Sequence, residues 1–120
     1  MTDNLVAQLN LYLDHIRADY AAWKDRQDST VTGIDREISE RIKADMIQKF
    51  VNSVRVECGS KYYKIVADNS AHSFVVLVDT PKFPRGTILK AASWRAPATN
   101  FGRGNILTGD WARATWTGIL

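Results

Sequence analysis

No acidic residue lies between Asp79 and Asp110, although five bases, Lys82, Arg85, Lys90, Arg95 and Arg103, fall in that interval. A one-signed segment inside a mixed-charge chain creates a local positive potential that attracts anions. Other absences narrow the field. A single cysteine, Cys58, excludes an internal disulfide and any cysteine-based zinc cluster, and suits a reducing compartment. With only two histidines, His15 and His72, set far apart, no metal-ligand spacing can be recognised. No apolar run approaches the roughly 20 residues of a membrane-spanning helix. Met1-Thr-Asp-Asn-Leu has no basic stretch followed by an apolar core, so no secretory signal is expected and the expected location is cytoplasmic. There is no Gly-Lys-Ser/Thr of a Walker loop. The C-terminal half also lacks the paired carboxylates of glycosidases and two-metal nucleases.

What is present fits one ordinary globular domain of 120 residues, 45% hydrophobic and 24% charged. The net charge of +3 is unevenly spread. Residues 1–50 hold seven Lys/Arg against nine Asp/Glu, and residues 51–120 hold nine against four. The positive field therefore belongs to the C-terminal half.

The hydrophobic period changes along the chain. Leu5, Leu9, Tyr12, Ile16, Tyr20 and Trp23 recur at spacings of three and four, which predicts an amphipathic helix starting near Thr2 or Asp3 and fading at Arg26–Ser29. A connector at Thr30–Gly33 leads to a second helix, with Thr32 and Asp35 in a capping arrangement. Its apolar positions are Ile34, Ile38, Ile42, Met46 or Ile47, and Phe50. Four acids on this helix, Asp35, Glu37, Glu40 and Asp45, argue against a helix-turn-helix DNA reader, because phosphates would repel them. From Val54 the pattern alternates. Strands are predicted at 54–57, 61–66, 74–78, 87–90 and 112–117, with a four-residue loop at 68–71 and a Pro81–Gly86 turn. The expected fold is α+β: a helical hairpin over residues 1–51, packed on a small twisted antiparallel sheet over 52–120. Partial closure of the sheet is left open.

Several strings carry a resemblance. Lys61-Tyr-Tyr-Lys-Ile-Val, His72-Ser-Phe-Val-Val, Gly86-Thr-Ile-Leu-Lys-Ala-Ala-Ser-Trp-Arg-Ala-Pro, Asn100-Phe-Gly-Arg-Gly-Asn-Ile and Trp116-Thr-Gly are similar to a group of small accessory proteins encoded by tailed bacteriophages. The resemblance covers most of residues 60–119. It implies a phage-encoded protein acting in the cytoplasm of an infected bacterium, and it brings no active-site assignment with it.

The segment Lys82–Asn105 is the candidate binding strap. Arg95 and Arg103 offer planar forks suited to phosphate, and Lys90 a point charge. Trp94 and Phe101 are candidates to stack on a base. Ser93, Asn100 and Asn105 supply hydrogen-bonding groups, while Lys82 and Arg85 extend the basic field at the periphery. The plainer reading of each residue is structural: Trp94 and Phe101 as core under a loop, Gly102 and Gly104 as turn formers, and the bases as a solvated face. Their combination favours binding of a phosphate-bearing ligand without catalysis. A small nucleotide such as a bacterial immune signal, held in an anti-defence role, is the first candidate. Single-stranded nucleic acid is the alternative, and an acidic host protein bound without nucleotide is a third. A homo-oligomer is compatible with a ligand held between protomers. Neither a cofactor nor a metal is expected. Cys58 with His72, and His72 with Ser73, are pairs resembling a nucleophile with its base, and Ser73 would also need an orienting acid. The plainer reading of His15 is a surface residue and of Cys58 inert packing.

Overall fold

The computed structural model describes residues 4–27 and 35–119. The expected caps at Thr2, Asp3 and Thr32, and the connector, lie outside them. Helix α1 spans Leu5–Gln27 and α2 spans Asp35–Ser53. Strands β1 (Arg55–Cys58), β2 (Tyr62–Ala67), β3 (Ser70–Val76) and β4 (Ile88–Lys90) form one antiparallel sheet in the order β1-β2-β3-β4. The α+β expectation holds, and the sheet is open. A 3-10 turn, Ile106–Thr108, and a short hairpin, β5 (Ala114–Thr115) with β6 (Gly118–Ile119), complete the chain.

Period-2 alternation gives the sheet two different faces. Val56, Tyr63, Ile65, Ala67, Val75 and Ile88 point to the helical side, where they meet Leu5, Leu9, Tyr12, Leu13, Ile16 and Tyr20 of α1. Phe74, Val76 and Leu89 point outward and are partly roofed by Phe83, with Tyr62 beside them. The main core is thus a two-layer arrangement centred on α1.

Helix α1 also holds the C-terminal segment. Gln8 Nε2 donates to Ile106 O at 2.9 Å, His15 Nε2 to Ala114 O at 2.9 Å, and Asp19 Oδ2 accepts from Trp116 N at 2.8 Å. His15 is therefore a partly buried anchor, against the expectation of a surface residue. Tyr20, Trp23, Phe50 and Trp116 form an aromatic cluster, with Tyr20 stacked on Phe50 at 4.2 Å and edge-on to Trp116 at 5.0 Å. Each such pair contributes ~0.5–1.5 kcal/mol beyond burial.

Helix α2 departs from its expected role. It meets α1 near its own C-terminus, where Phe50 is buried and Arg17 donates to Val51 O and Val54 O. Ile38, Ile42 and Met46 are 57%, 56% and 39% exposed. The sequence places them on one face, but that face does not reach the sheet. The molecule is correspondingly drawn out, with a longest extent of 58 Å and a radius of gyration of 16.3 Å. A compact chain of this length would have ~13–14 Å.

Two turns are tighter than expected. Asp68 and Asn69 adopt φ of 51° and 62°, so β2 and β3 are joined by a two-residue turn and Ser70 is already in the strand. Asx side chains tolerate this left-handed region, and paired positive φ matches strand twist. The expected single strand at 112–117 instead reverses at Trp116–Thr117. Gly118, at φ 141°, permits the reversal.

The strap lies along the outer edge of β4. Ile88 N donates to Gly104 O at 2.9 Å, Arg103 N to Ile88 O at 2.8 Å, and Ala98 N to Lys90 O at 2.7 Å. Gly104 is required there: a Cβ on it would lie 2.2 Å from Asp110 O.

Candidate functional site

The register shift between β2 and β3 pairs Ile65 with Ser73 but Val66 with Ala71, leaving His72 as the extra residue of a bulge. His72 Nε2 must donate to Thr115 O, 2.6 Å away, because a carbonyl only accepts. Its Nδ1 then accepts from the Ser73 hydroxyl at 2.9 Å, and Ser73 Oγ accepts from Tyr12 OH at 2.7 Å. The result is a directed chain from Tyr12 through Ser73 and His72 to Thr115. Burial pushes the His72 pKa below its ordinary value, opposed by the bond to Thr115 O, with a smaller lowering from His15. Burial also pushes Tyr12 ionisation above its usual range, opposed by Ser73. Both nitrogens of His72 are occupied, and Ser73 is 0% exposed. This cluster ties α1, the sheet and the C-terminal hairpin together and lines neither of the cavities described next. Cys58 sits apart from it, exposed at the end of β1.

The outer face of the sheet carries a different arrangement. At the strap tip, Ala92 N and Ser93 N donate to Ala96 O at 3.0 and 3.1 Å. Ser93 Oγ accepts from Ala96 N at 3.2 Å and Arg95 N at 3.3 Å. This self-bonded turn presents Trp94 and Arg95. The Lys64 ammonium lies 3.3 Å from the centroid of the Trp94 ring, a cation–π contact that fastens the tip to β2.

Between the tip and the β1–β2 turn is a cavity of about 340 Å³, lined by residues 57–62 with Lys64, Phe74 and Arg95. That volume is within the ~300–1,000 Å³ of small-ligand sites. Glu57 is the acid of the lining, and it is already matched by Arg55 at 3.3 Å and Lys64 at 3.6 Å. Among the described residues, no hydrogen-bond or acidic partner engages the side chains of Lys61 or Arg95. Tyr62 and Phe74, edge-to-face at 6.0 Å, give the cavity an aromatic wall.

The structure divides the sequence-derived strap. Arg95 lines this cavity, Trp94 is tethered beside it, and Ser93 shapes the turn that carries both. Lys90 is exposed at the end of β4. The return of the strap carries the rest. Asn100 is exposed, and the Arg103 guanidinium lies 3.8 Å over the half-exposed ring of Phe101. The Asn105 amide serves the fold: Oδ1 accepts from Leu107 N at 2.8 Å and Nδ2 donates to Arg85 O at 3.0 Å. Lys82 donates to Thr99 O and Arg85 to Leu77 O, so both peripheral bases tie loops. Lys61, Tyr62, Lys64 and Phe74 lie outside the sequence-derived strap. Their signal was the alternation that puts Tyr62 and Lys64 on one face of β2.

Among the described residues, no group of three or more His, Cys, Asp or Glu could hold a metal ion, and no helix is long and apolar enough to cross a membrane. Neither a curated protein nor a solved structure matches the chain. A family model does match, over residues 4–120, and the chain belongs to that family, DUF7717, a family of unknown function.

Proposed function

We propose that this chain binds a small phosphate-bearing ligand, of nucleotide type, without transforming it, in the cavity between the strap tip and the β1–β2 turn. The observation that carries the reading is that Lys61 and Arg95, from separate segments, line one cavity of about 340 Å³ whose acid is already neutralised. A guanidinium fork and an ammonium, both solvent-accessible at the mouth of the cavity and beside an aromatic wall, match a phosphate joined to a planar group. With the setting implied by the resemblance to phage accessory proteins, the role is capture of a nucleotide immune signal in the cytoplasm of an infected bacterium.

The test is calorimetry of Arg95→Ala and Lys61→Ala against a panel of nucleotides and short single strands, at two salt concentrations. Each lost charge-assisted contact should weaken binding by roughly 10- to 150-fold, from ~1.5–3 kcal/mol per contact. A shallow salt dependence with a preferred small ligand supports the reading. A salt slope that steepens with strand length would move the function to single-stranded nucleic acid. Wild-type affinity for every ligand in both folded variants would reduce the cavity to a surface feature.

A further inference from the structure

A second cavity, of about 390 Å³, adjoins the first and shares Lys61 and Tyr62 with it. The rest of its lining is Val76, Val78, Thr80 and Phe83. Its polar groups are largely consumed by the fold. The Thr80 hydroxyl donates to Phe83 O at 3.0 Å and accepts from Phe83 N at 2.9 Å. Val76 N donates to Thr87 O, Val76 O accepts from Gly86 N, and Lys61 O accepts from Leu77 N. Two side-chain groups of the lining engage nothing else among the described residues: the Lys61 ammonium and the Tyr62 hydroxyl. Both belong to the residues shared with the basic cavity.

Resting on the binding reading above, we infer that the two cavities are compartments of one site for an aryl-bearing phosphate, with the planar body between Tyr62 and Phe83 and the phosphate at Lys61 and Arg95. The same geometry assigns selectivity. Recognition of a base edge needs convergent donors and acceptors, and a site that lacks them tolerates any flat apolar body of the right size. The apolar compartment should therefore recognise the presence of an aromatic ring system while being nearly blind to which base it is.

The experiment measures binding of the full chain to four nucleoside 5′-monophosphates, 1-naphthyl phosphate and ribose 5-phosphate. Aromatic phosphates should bind roughly 5- to 150-fold tighter than ribose 5-phosphate, the scale of one stacking contact. Naphthyl phosphate, which has no base edge, should fall within about threefold of the nucleotides, since no edge contact is lost. Val78 is 58% exposed, so Val78→Trp fills the compartment from its rim, and Val78→Asp places a repelling charge there. Both should reduce the aromatic phosphates to the level of ribose 5-phosphate and leave ribose 5-phosphate nearly unchanged for the tryptophan variant. Aromatic phosphates binding no better than ribose 5-phosphate would overturn the inference. So would an aromatic increment that survives both Val78 variants, or one nucleotide preferred far above the others and naphthyl phosphate. If Arg95→Ala still weakens every phosphate in those cases, the phosphate-binding reading stands without the aryl compartment. If no phosphate binds, both fall.

Discussion

The two helices carry similar apolar periodicity and meet different fates. In α1, the stripe Leu5, Leu9, Tyr12, Ile16 and Tyr20 is buried under the sheet, the 3-10 turn and the C-terminal hairpin. In α2, Ile38, Ile42 and Met46 stay exposed and Phe50 carries the contact. A helical stripe states that a face can be buried. Whether it is buried depends on how far the neighbouring elements extend, which no local window contains.

The sharpest way to break this comparison is to truncate one position on each helix and follow denaturant unfolding. Ile16→Ala, at a fully buried position, should cost ~2–5 kcal/mol. Ile42→Ala should change stability by less than ~0.5 kcal/mol, as at other surface positions. A loss at Ile42 comparable to that at Ile16, with a midpoint that rises with protein concentration, would mean that the α2 stripe is covered by a second copy of the chain.

The next effect concerns the polar part of the α1 interface. Tyr12→Phe keeps the ring and removes the donor to Ser73, leaving a buried hydroxyl without its usual partner. The expected loss is about 1–3 kcal/mol. A double-mutant cycle with Ser73→Ala should recover part of it, whereas strict additivity would show that the two groups act independently.

A smaller effect is pH dependence. His72 has its folded pKa lowered below the ordinary 6.5 by burial. The unfolded chain therefore binds the proton more readily, and stability rises with pH across the interval between the two values. The His72 contribution is complete above the ordinary value and is lost as pH falls through it toward the folded value. The slope is at most ~1.4 kcal/mol per pH unit for one proton. Protonation also converts Nδ1 from acceptor to donor, so the Ser73 hydroxyl must turn away. His72→Gln should flatten this part of the stability–pH curve; an unchanged slope would assign it to another group.

A modest effect is expected at the strap tip, where Trp94→Ala removes a half-exposed ring held by Lys64. Stability should fall by about 0.5–1 kcal/mol. Limited proteolysis within 92–96 should quicken, because the tip loses its tether to β2. An unchanged cleavage rate would show that the backbone turn alone holds it.

Much of this architecture is legible without coordinates. The alternating β-branched and aromatic runs at 61–66 and 74–78 mark β2 and the second half of β3, which begins four residues earlier, at Ser70, and ends at Val76, and α1 follows from its 3.6-residue stripe. Errors arose where a few residues in special conformations change the path. Asp68 and Asn69 at positive φ shorten a loop, and the reversal at Trp116–Thr117 divides an apparent strand. Arg95 was legible as a site candidate from the acid-free interval. Lys61 and Tyr62 were not, since nothing local says which loop returns over which face of the sheet. Asn105 has the type of a ligand-contact residue, yet its amide caps the 3-10 turn and holds Arg85 O.

The sequence by itself determined two helices followed by the strands of the main sheet, the inward and outward alternation of β2, and the concentration of positive charge in residues 51–120. These are local or additive properties, set by dihedral preference, side-chain period and net charge. Tertiary structure alone decided that Arg95 and Lys61 share a cavity, that the α2 stripe remains uncovered, and that Tyr12, Ser73, His72 and Thr115 form one chain. The last group joins residues separated by 61 and 43 positions, and the Asp19–Trp116 contact spans 97. Contacts at such separations exist only after the whole core closes around them, because short-range preferences act over a few residues and carry no information about which distant segment will arrive.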